Sequence, residues 1–327
     1  MVTKTGMPRS GHRTNSSNIN NETLRLPLAV GVGRAHAHHG EFLQGVFEGE
    51  NGRLCRGLVT LPLTSQESLA TFWPHEQTGI RPRPANRTKA ARAAALTLEH
   101  IGVAEGGGEL TIESPITIGH GYGSSTADVI AAIRAVAAAA GLTLRQSTIA
   151  RLAVAAEGAS DAIAYGDQPL LFAHREGRTI EHFGGEFPPL LLVGFRDGSA
   201  RPIDTLSMPR ARYDGEEIGL FRVLRGLANR SIRQQDPRLL GRVATISASI
   251  SQRHLPKASF NTVLDIARAH DACGVQVAHS GTLIGILLDA NAPRAAMRAA
   301  ELAREVSGAG LQGVHTFALN AEMGLIQ

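Results

Sequence analysis

The chain has 327 residues, of which 43% are hydrophobic and 19% are charged, enough to bury the cores of two domains of ordinary size. No apolar run approaches the roughly 20 residues that a membrane-spanning helix needs, so we expect no membrane partner. The formal net charge of +4 and the aromatic content of 4% supply neither a continuous basic stripe nor stacking surfaces, so we expect no nucleic-acid partner.

Residues 1–27 are rich in Ser, Asn and Thr and show no periodicity, which predicts a disordered tail. This tail carries Arg and Ser but few acidic residues, so a transit peptide is kept as an alternative. Cys55 and Cys273 form neither a metal-type pair nor a disulfide framework. Because the N-terminus lacks the apolar segment of a secretory signal, we expect a cytoplasmic protein.

The hydrophobic pattern that follows predicts a mixture of strands and helices. In the first half, the predicted strands are Leu28–Gly33, Leu58–Leu63, Ser68–Trp73 and Glu109–Glu113, and the predicted helices are Thr88–His100, Ser125–Ala140 and Gln146–Glu157. In the second half, the predicted strands are Leu190–Phe195, Val275–Ala278, Thr282–Leu288 and Gly313–Ala318, and the predicted helices are Glu216–Asn229, Pro237–Gln252, Asn261–His270 and Ala292–Glu305. We therefore predict an α+β fold in two lobes, over residues 28–186 and 187–327.

The most informative segment runs from Pro115 to Asp128 and has glycines at the alternate positions 119, 121 and 123. Such a turn brings the backbone close to a ligand, and it opens into a helix whose free amides favour a phosphate. Ser124 and Ser125 add hydroxyl groups, one of which could ligate Mg²⁺. The alternative is a plain helix start, because Ser125–Asp128 also fits a capping box. On the residues alone, the two interpretations are equally supported.

Three histidines, His36, His38 and His39, precede Gly40 and Glu41. In a strand, the first two would point to one face and the third to the other. This arrangement predicts a polar wall that faces a substrate. A metal site is the alternative, although no third ligand type is evident nearby.

Two acidic residues, Glu157 and Asp161, follow at the end of the third predicted helix and would share a face if the helix continued. A carboxylate can orient or deprotonate an attacking hydroxyl, and Mg²⁺ takes oxygen ligands. The pair therefore offers groups suited to either role. A solvated helix end is the alternative.

These segments resemble, in chain order, motifs of the GHMP kinases, the superfamily of galactokinase, homoserine kinase and mevalonate kinase. Pro115-x5-Gly-Tyr-Gly-Ser-Ser-Thr-Ala127 resembles their second motif, and its Ser-Ser-Thr-Ala-Asp ending is similar to the L-threonine kinase branch of cobalamin synthesis and propanediol utilisation. The segments that resemble other motifs of this branch are Gly40–Gly45, Leu171–Gly177 and Val277–Gly285. The chain departs from the branch over residues 36–39, where the branch tends to have Pro-Ala-Ser-Cys.

The resemblance implies an ATP-binding lobe like ribosomal protein S5 domain 2 over residues 28–186, and a ferredoxin-like lobe over residues 187–327. The nucleotide contacts that it implies are Gly119, Gly121, Tyr122, Gly123, Ser124, Ser125 and Thr126. The substrate contacts that it implies are His39, Glu41, Gln44, His279, Ser280 and Gly281. Asp161 would be the base, and Ser125 and Glu157 would bind Mg²⁺.

The implied activity is ATP-dependent phosphorylation of the side-chain hydroxyl of L-threonine, which gives O-phospho-L-threonine. One alternative is the same chemistry on another small hydroxylated amino acid or metabolite, which the departure at residues 36–39 favours. An alternative of another class is a ligand-binding regulator of the same fold without catalysis. In each case we expect a small-molecule partner, and a homodimer is left open.

Overall fold

The computed structural model describes residues 28–49, 52–103, 105–198 and 212–321, together with residue 1. The predicted disordered tail, residues 1–27, lies outside the described residues except for its first residue. Among the described residues, no helix is long and apolar enough to cross a membrane.

The described residues form an α+β fold, as predicted. The strands are β1 Gly31–Glu48, β2 Leu54–His75, β3 Gly79–Arg83, β4 Gly107–Glu113, β5 Leu170–Ala173, β6 Arg178–His182, β7 Leu190–Arg196, β8 Gly274–Val277, β9 Leu283–Asp289 and β10 Gln312–Leu319. The helices are α1 Thr88–His100, α2 Ser124–Ala139, α3 Gln146–Glu157, α4 Gly215–Arg233, α5 Pro237–Ser251, α6 Phe260–Ala269 and α7 Ala295–Gly308. A short 3₁₀ helix covers Ala162–Tyr165.

The strands form one sheet in the order β10-β7-β9-β8-β1-β2-β4-β3, and β5 and β6 branch from β2. Strand β1 pairs with β8 at a single position, Glu41 opposite Val277. From β7 onward, the strand order β10-β7-β9-β8 is that of a ferredoxin-like β-α-β-β-α-β arrangement, with three described helices instead of one between β7 and β8. The domain boundary predicted at residues 186 and 187 falls between β6 and β7, and it stays a prediction.

Strand β1 is longer than predicted, and its pairing with β2 is interrupted. The register shifts between His36 and Ala37, between His38 and Glu41, and again between Glu41 and Leu43. Gly40 has a positive φ of 60° within this stretch. Each shift breaks the inside-outside alternation of a regular strand, and as a result every residue from Ala37 to Gly45 is buried.

Strand β2 joins two segments that were predicted as separate strands. The polar residues 64–66 between them form the bulge opposite His36 and Ala37 rather than a turn. Strands β3, β5 and β6 were not predicted, because β3 contains a proline and the other two are only four and five residues long.

Helix α2 is buried on almost all of its sides and lies directly against β1. The contact is close because Gly33 has no side chain, since a Cβ at this position would lie 2.1 Å from the carbonyl oxygen of Ala131. The capping-box interpretation of Ser125–Asp128 is wrong. The helix begins at Gly123, which is left-handed with φ 69°, and no side chain caps it.

Two faces of the β7–β9 sheet are covered, which explains the apolar run at residues 190–195. Leu190 and Leu192 pack in the same core as α4 and α5. Leu191, Val193 and Phe195 pack in the core formed with α6 and α7. A strand that is buried on both faces needs apolar residues at every position.

Asp128 ties α2 to its surroundings through buried polar contacts. Its carboxylate accepts a hydrogen bond from Ser68 Oγ at 2.6 Å and lies 3.1 Å from Arg87 Nη1, just before α1. We expect Asp128→Ala to lower the free energy of unfolding by about 3 kcal/mol, because it leaves a partly buried guanidinium without its counter-charge and the buried Ser68 hydroxyl without its acceptor. Urea denaturation measures this loss.

The matched control is Asp265→Ala, which removes an ion pair with Arg268 between exposed side chains. This change should cost less than about 1 kcal/mol. Equal losses in the two variants would contradict the importance assigned to the Asp128 contacts.

Candidate active site

A cleft of about 220 Å³ opens where the loop before α2, the end of α3 and the β8–β9 turn meet. It brings together eleven of the predicted site residues: Gly119, Gly121, Gly123, Ser124, Ser125, Thr126, Glu157, Asp161, His279, Ser280 and Gly281. Four others do not line it: His39, Glu41, Gln44 and Tyr122.

The glycine loop is pressed against two neighbours and has room for no side chain. A Cβ at Gly123 would lie 2.2 Å from His38 Cδ2, and a Cβ at Gly121 would lie 2.6 Å from the carbonyl oxygen of Ser280. Both glycines also have a positive φ, 69° and 105°. The loop therefore needs glycine for its conformation and for its close contacts at once.

Backbone hydrogen bonds hold this loop to β1 and to the β8–β9 turn. The amide of His38 donates to the carbonyl oxygen of Tyr122 at 3.1 Å, and the amide of Thr282 donates to that of His120 at 2.9 Å. These bonds fix the loop at the N-terminus of α2, whose first amides have no side-chain cap. Uncapped amides at a helix N-terminus form an anion-binding site.

The two acidic residues reach the cleft by a different route from the predicted one. Helix α3 ends at Glu157 because Gly158 adopts a left-handed conformation, and Asp161 precedes the 3₁₀ helix. The shared helix face is therefore wrong. The chain turns instead, and the amide of Ser160 donates to the carbonyl oxygen of His174 at 2.9 Å. This turn returns Asp161 to the same side as Glu157.

Glu157 is bound by the first turn of α2. Ser125 Oγ donates to its Oε2 and Thr126 Oγ1 donates to its Oε1, each at 2.9 Å. Burial raises the pKa of Glu157 to about 7, and the charge of Asp161 acts in the same direction against the two hydroxyl hydrogen bonds. The carboxyl is thus close to half-protonated at neutral pH, and a cation beside it would favour the ionised form.

Asp161 has the opposite electrostatic environment. Its Oδ2 lies 2.9 Å from His38 Nε2 and 3.3 Å from Thr126 Oγ1. Burial opposes the ionisation of Asp161, but His38 above all, together with His279, holds its pKa below the ordinary value. In the same pair, burial lowers the pKa of His38, but Asp161 and Glu41 outweigh this effect and raise it. Asp161 and His38 thus favour each other's charged forms, the carboxylate and the imidazolium.

Glu41 lies behind the cleft and contacts the β8–β9 turn. Its Oε2 accepts a hydrogen bond from the backbone amide of His279 at 2.7 Å, and its Oε1 lies 3.0 Å from Nδ1 of the same histidine. Burial lowers the pKa of His279, but Glu41 and Asp161 outweigh it and raise the pKa to about 9. Glu41 thus acts on the cleft through two lining residues, His279 and, at 3.9 Å from its Oε1, His38 Nδ1.

His39 and Gln44 are buried and do not line the cleft. His39 faces Gly194, contacts the ring of Phe317 and lies 2.5 Å from Gln276 Nε2. Burial lowers its pKa to about 3, so its ring is neutral. The side chain of Gln44 donates to the carbonyl oxygen of Val277 at 3.2 Å. The substrate contacts predicted for these two residues are not supported by their positions.

The three histidines of β1 do not converge on one metal. His36 borders a separate small cavity, His38 lines the cleft and His39 is in the core. A ligand atom from each of His38, Glu41 and Asp161 lies within 4.8 Å of the others. His38 Nε2 is already paired with Asp161, so an ion pair accounts for this grouping.

Three ionisable residues of the cleft lining were not assigned as site residues from the sequence: His38, Lys89 and His174. His38 had been placed only in the polar wall expected at residues 36–39. Lys89 begins α1 and its charge acts on Glu157. His174 lies in the segment that resembles a branch motif, and its ring centroid is 5.5 Å from that of His279. The motif at residues 171–177 was the available signal for His174, and the unusual run at residues 36–39 was the signal for His38.

Comparison with known proteins independently supports a functional role for this cleft. The family described as GHMP kinases N terminal domain matches residues 88–173. An L-threonine kinase of Salmonella typhimurium is 30% identical over 264 residues, which is 80% of this chain and 83% of that enzyme. An L-threonine kinase of Citrobacter freundii is 34% identical over 186 residues, or 56% of this chain. The chain spans only 62% of the length of this second enzyme.

Solved structures show the same fold at low sequence identity. A homoserine kinase from Cytophaga hutchinsonii has a TM-score of 0.64 at 14% identity, over 89% of this chain and 95% of that one. The L. major mevalonate kinase has a TM-score of 0.60 at 13% identity, over 90% and 96% of the two chains.

The fold and its relatives define a phosphotransferase that acts on an alcohol group and uses ATP. The chain belongs to the GHMP kinases, in the branch of the L-threonine kinases.

We expect Gly123→Ala to lower kcat/KM by about 100-fold. The Cβ of the new alanine would collide with His38, so either the histidine or the glycine loop must move away from its position in the cleft. Steady-state kinetics measure this loss. The control is Gly141→Ala at the other end of α2, where φ is 68° and no atom lies within 4 Å of the added Cβ. In both variants, alanine must adopt a positive φ, which lowers the free energy of unfolding by about 1–2 kcal/mol. Equal activity in both would contradict the tight fit at Gly123.

The neutral His39 makes stability depend on pH. Because its pKa falls from 6.5 in the unfolded chain to about 3 in the folded protein, the wild type loses stability from this group as the pH drops below 6.5. The loss should reach about 2 kcal/mol at pH 5.

His39→Gln removes this loss. Between pH 7.5 and 5, the free energy of unfolding of the wild type should therefore fall by about 2 kcal/mol more than that of the variant. Urea denaturation at the two pH values measures both. His100→Gln, at the exposed end of α1, sets the background. A constant difference for His39→Gln would show that the ring is not buried in neutral form.

Proposed function

We propose that the protein transfers the γ-phosphoryl group of ATP to the side-chain hydroxyl of L-threonine and so forms O-phospho-L-threonine. The observation that carries this proposal is the position of Asp161, ionised and buried beside the uncapped N-terminus of α2 in one cleft. The two L-threonine kinases similar to this chain support the choice of acceptor.

The phosphates of ATP would lie over the glycine loop. The amides of Ser124, Ser125 and Thr126 begin α2 without a side-chain cap, and the positive end of the helix dipole adds to their attraction for an anion. Lys89 reaches the same cleft from α1. Phosphoryl transfer depends mainly on such positioning and charge neutralisation.

The residues near Glu157 fit Mg²⁺. They offer a carboxylate and two hydroxyl oxygens within hydrogen-bonding distance of one another, which is the hard oxygen set that this ion prefers. The raised pKa of Glu157 also indicates a carboxylate that lacks sufficient positive charge. Ser125 and Glu157 would hold the ion, and Mg²⁺ would neutralise phosphate charge during the transfer.

The threonine hydroxyl would face Asp161. Among the described residues, the hydrogen-bond contacts of this carboxylate are made by Oδ2, which leaves Oδ1 to accept the hydroxyl proton. Because His38 keeps Asp161 ionised, the carboxylate orients the hydroxyl in the ground state. It takes the proton only as the new O–P bond forms, when the hydroxyl becomes acidic.

A second candidate is phosphorylation of another small hydroxylated amino acid. The observation that favours it is His38, an imidazole in the cleft at a position where the branch tends to have serine. A larger ring beside Asp161 changes the space available to the acceptor.

The test is incubation with ATP and Mg²⁺ against a panel of hydroxy amino acids and amino alcohols, with products identified by phosphorus NMR. O-phospho-L-threonine as the main product supports the proposal. Preference for another member of the panel would establish the second candidate. ATP binding without any phosphorylated product would refute both.

We expect Asp161→Asn to lower kcat by about 100- to 10,000-fold while the affinity for ATP stays unchanged, because the base contributes to the chemical step. Single-turnover kinetics and equilibrium nucleotide titration separate the two effects. Asp167→Asn, at an exposed position six residues later, is the control. Unchanged turnover in Asp161→Asn would remove this residue as the base.

A further inference from the structure

Four ionisable side chains form one continuous cluster at the acceptor end of the cleft. Asp161 Oδ2 lies 2.9 Å from His38 Nε2, His38 Nδ1 lies 3.9 Å from Glu41 Oε1, and the same Oε1 lies 3.0 Å from His279 Nδ1. The order along the cluster is acid, base, acid, base. Buried charges need partners of opposite sign, and this order supplies each charge with one.

The middle of the cluster is closed to solvent and its ends are open. The side chains of His38 and Glu41 are 2% and 0% exposed, whereas those of Asp161 and His279 are 12% and 20% exposed. A ligand in the cleft therefore meets one negative end, Asp161, and one positive end, His279. Between them, Glu41 has no exposed surface, and His38 borders the cleft with only 2% of its side chain exposed and its Nε2 paired with Asp161.

We infer that His279 binds the carboxylate of the acceptor, so that the cleft selects a hydroxy acid with its hydroxyl at Asp161 and its carboxylate at His279. This inference rests on the proposed function, which places the hydroxyl at Asp161. It adds the second contact point and the class of acceptor.

Glu41 orients His279 for this role. Its carboxylate accepts a hydrogen bond from the backbone amide of the histidine and lies within ion-pair distance of ring Nδ1, so that ring Nε2 is the nitrogen left for a ligand. A glutamate without exposed surface cannot touch a ligand itself. It acts by fixing the ring and by keeping it positively charged, which its contribution to the raised pKa of His279 supports.

The other cations of the region are less suited to this contact. Lys257 Nζ donates to the carbonyl oxygen of Gly281 at 3.0 Å and does not line the cleft. Lys89 acts on Glu157, at the phosphate end. His174 lines the cleft, but burial and the charge of His279 lower its pKa to about 3, so that it is neutral. The positive group that faces the acceptor is His279.

The test compares L-threonine with L-threoninamide, which keeps the hydroxyl and the amine but has no carboxylate. The wild type should show a kcat/KM at least 10-fold higher for L-threonine. In His279→Gln, this value should fall by about 10- to 100-fold for L-threonine, the range expected for a lost charge-assisted hydrogen bond. It should fall less than about 3-fold for L-threoninamide, and the KM for ATP should not change.

The control is His254→Gln. His254 is 19% exposed and lies 3.6 Å from buried Glu217, so it matches His279 in exposure and in partner but lies outside the cleft lining. His254→Gln should leave the ratio of kcat/KM for L-threonine to kcat/KM for L-threoninamide unchanged. Glu41→Gln provides a second variant, and it should shift the ratio in the same direction as His279→Gln.

Several outcomes would overturn the inference. Equal wild-type activity on the acid and the amide would show that no carboxylate is recognised, whatever the behaviour of the variants. An unchanged ratio in His279→Gln would assign the carboxylate to another residue. A raised KM for ATP alone would assign His279 to the nucleotide.

Failure of the proposed function has a separate signature. If the wild type forms no product from L-threonine or its amide, the acceptor is wrong. The same acid and amide comparison then applies to the hydroxy acid that the panel identifies. Activity restricted to acceptors without a carboxylate would refute the inference.

Discussion

The interrupted pairing of β1 is the constraint on which the site depends. Three register shifts between His36 and Leu43 turn consecutive side chains inward, and two of them, His38 and Glu41, belong to ion pairs. Charges in the interior are tolerated only when they are paired. Asp161 and His279 supply the partners. The turn after α3 and the β8–β9 turn are thus held at the positions that the bulged strand requires.

The same strand connects the two parts of the sheet. Glu41 is the residue through which β1 pairs with β8, and its carboxylate binds the turn that follows β8. Glu41 therefore joins β1 to β8, and it also favours the positive charge of His279 in the cleft. The nearby loop before α2 is fixed by backbone bonds to both elements, so the cleft is complete only when both parts of the sheet are in place.

The sequence predicted regular elements well and the irregular ones poorly. Helices α1 and α3 have the predicted bounds, because the apolar residues of these alanine-rich segments recur with the period of a helix that is buried on one face. The glycine loop was found because positive φ angles require glycine whatever the partner. The bulges of β1 and the route of Asp161 were not found. Both depend on contacts with residues more than 100 positions away, such as the contact between His38 and Asp161, and no local pattern encodes these.

The two acids of the cleft show how neighbouring carboxylates acquire different roles. Thr126 Oγ1 contacts both Glu157 and Asp161, yet burial raises the pKa of Glu157 and a histidine lowers that of Asp161. A protein separates acid and base functions by such environments rather than by residue type. Asp161 has its cation built into the fold as His38, and so it needs none from a ligand. Among the described residues, Glu157 has two hydroxyl partners and the charge of Lys89, so under the proposed function it is the carboxylate that would gain most from Mg²⁺.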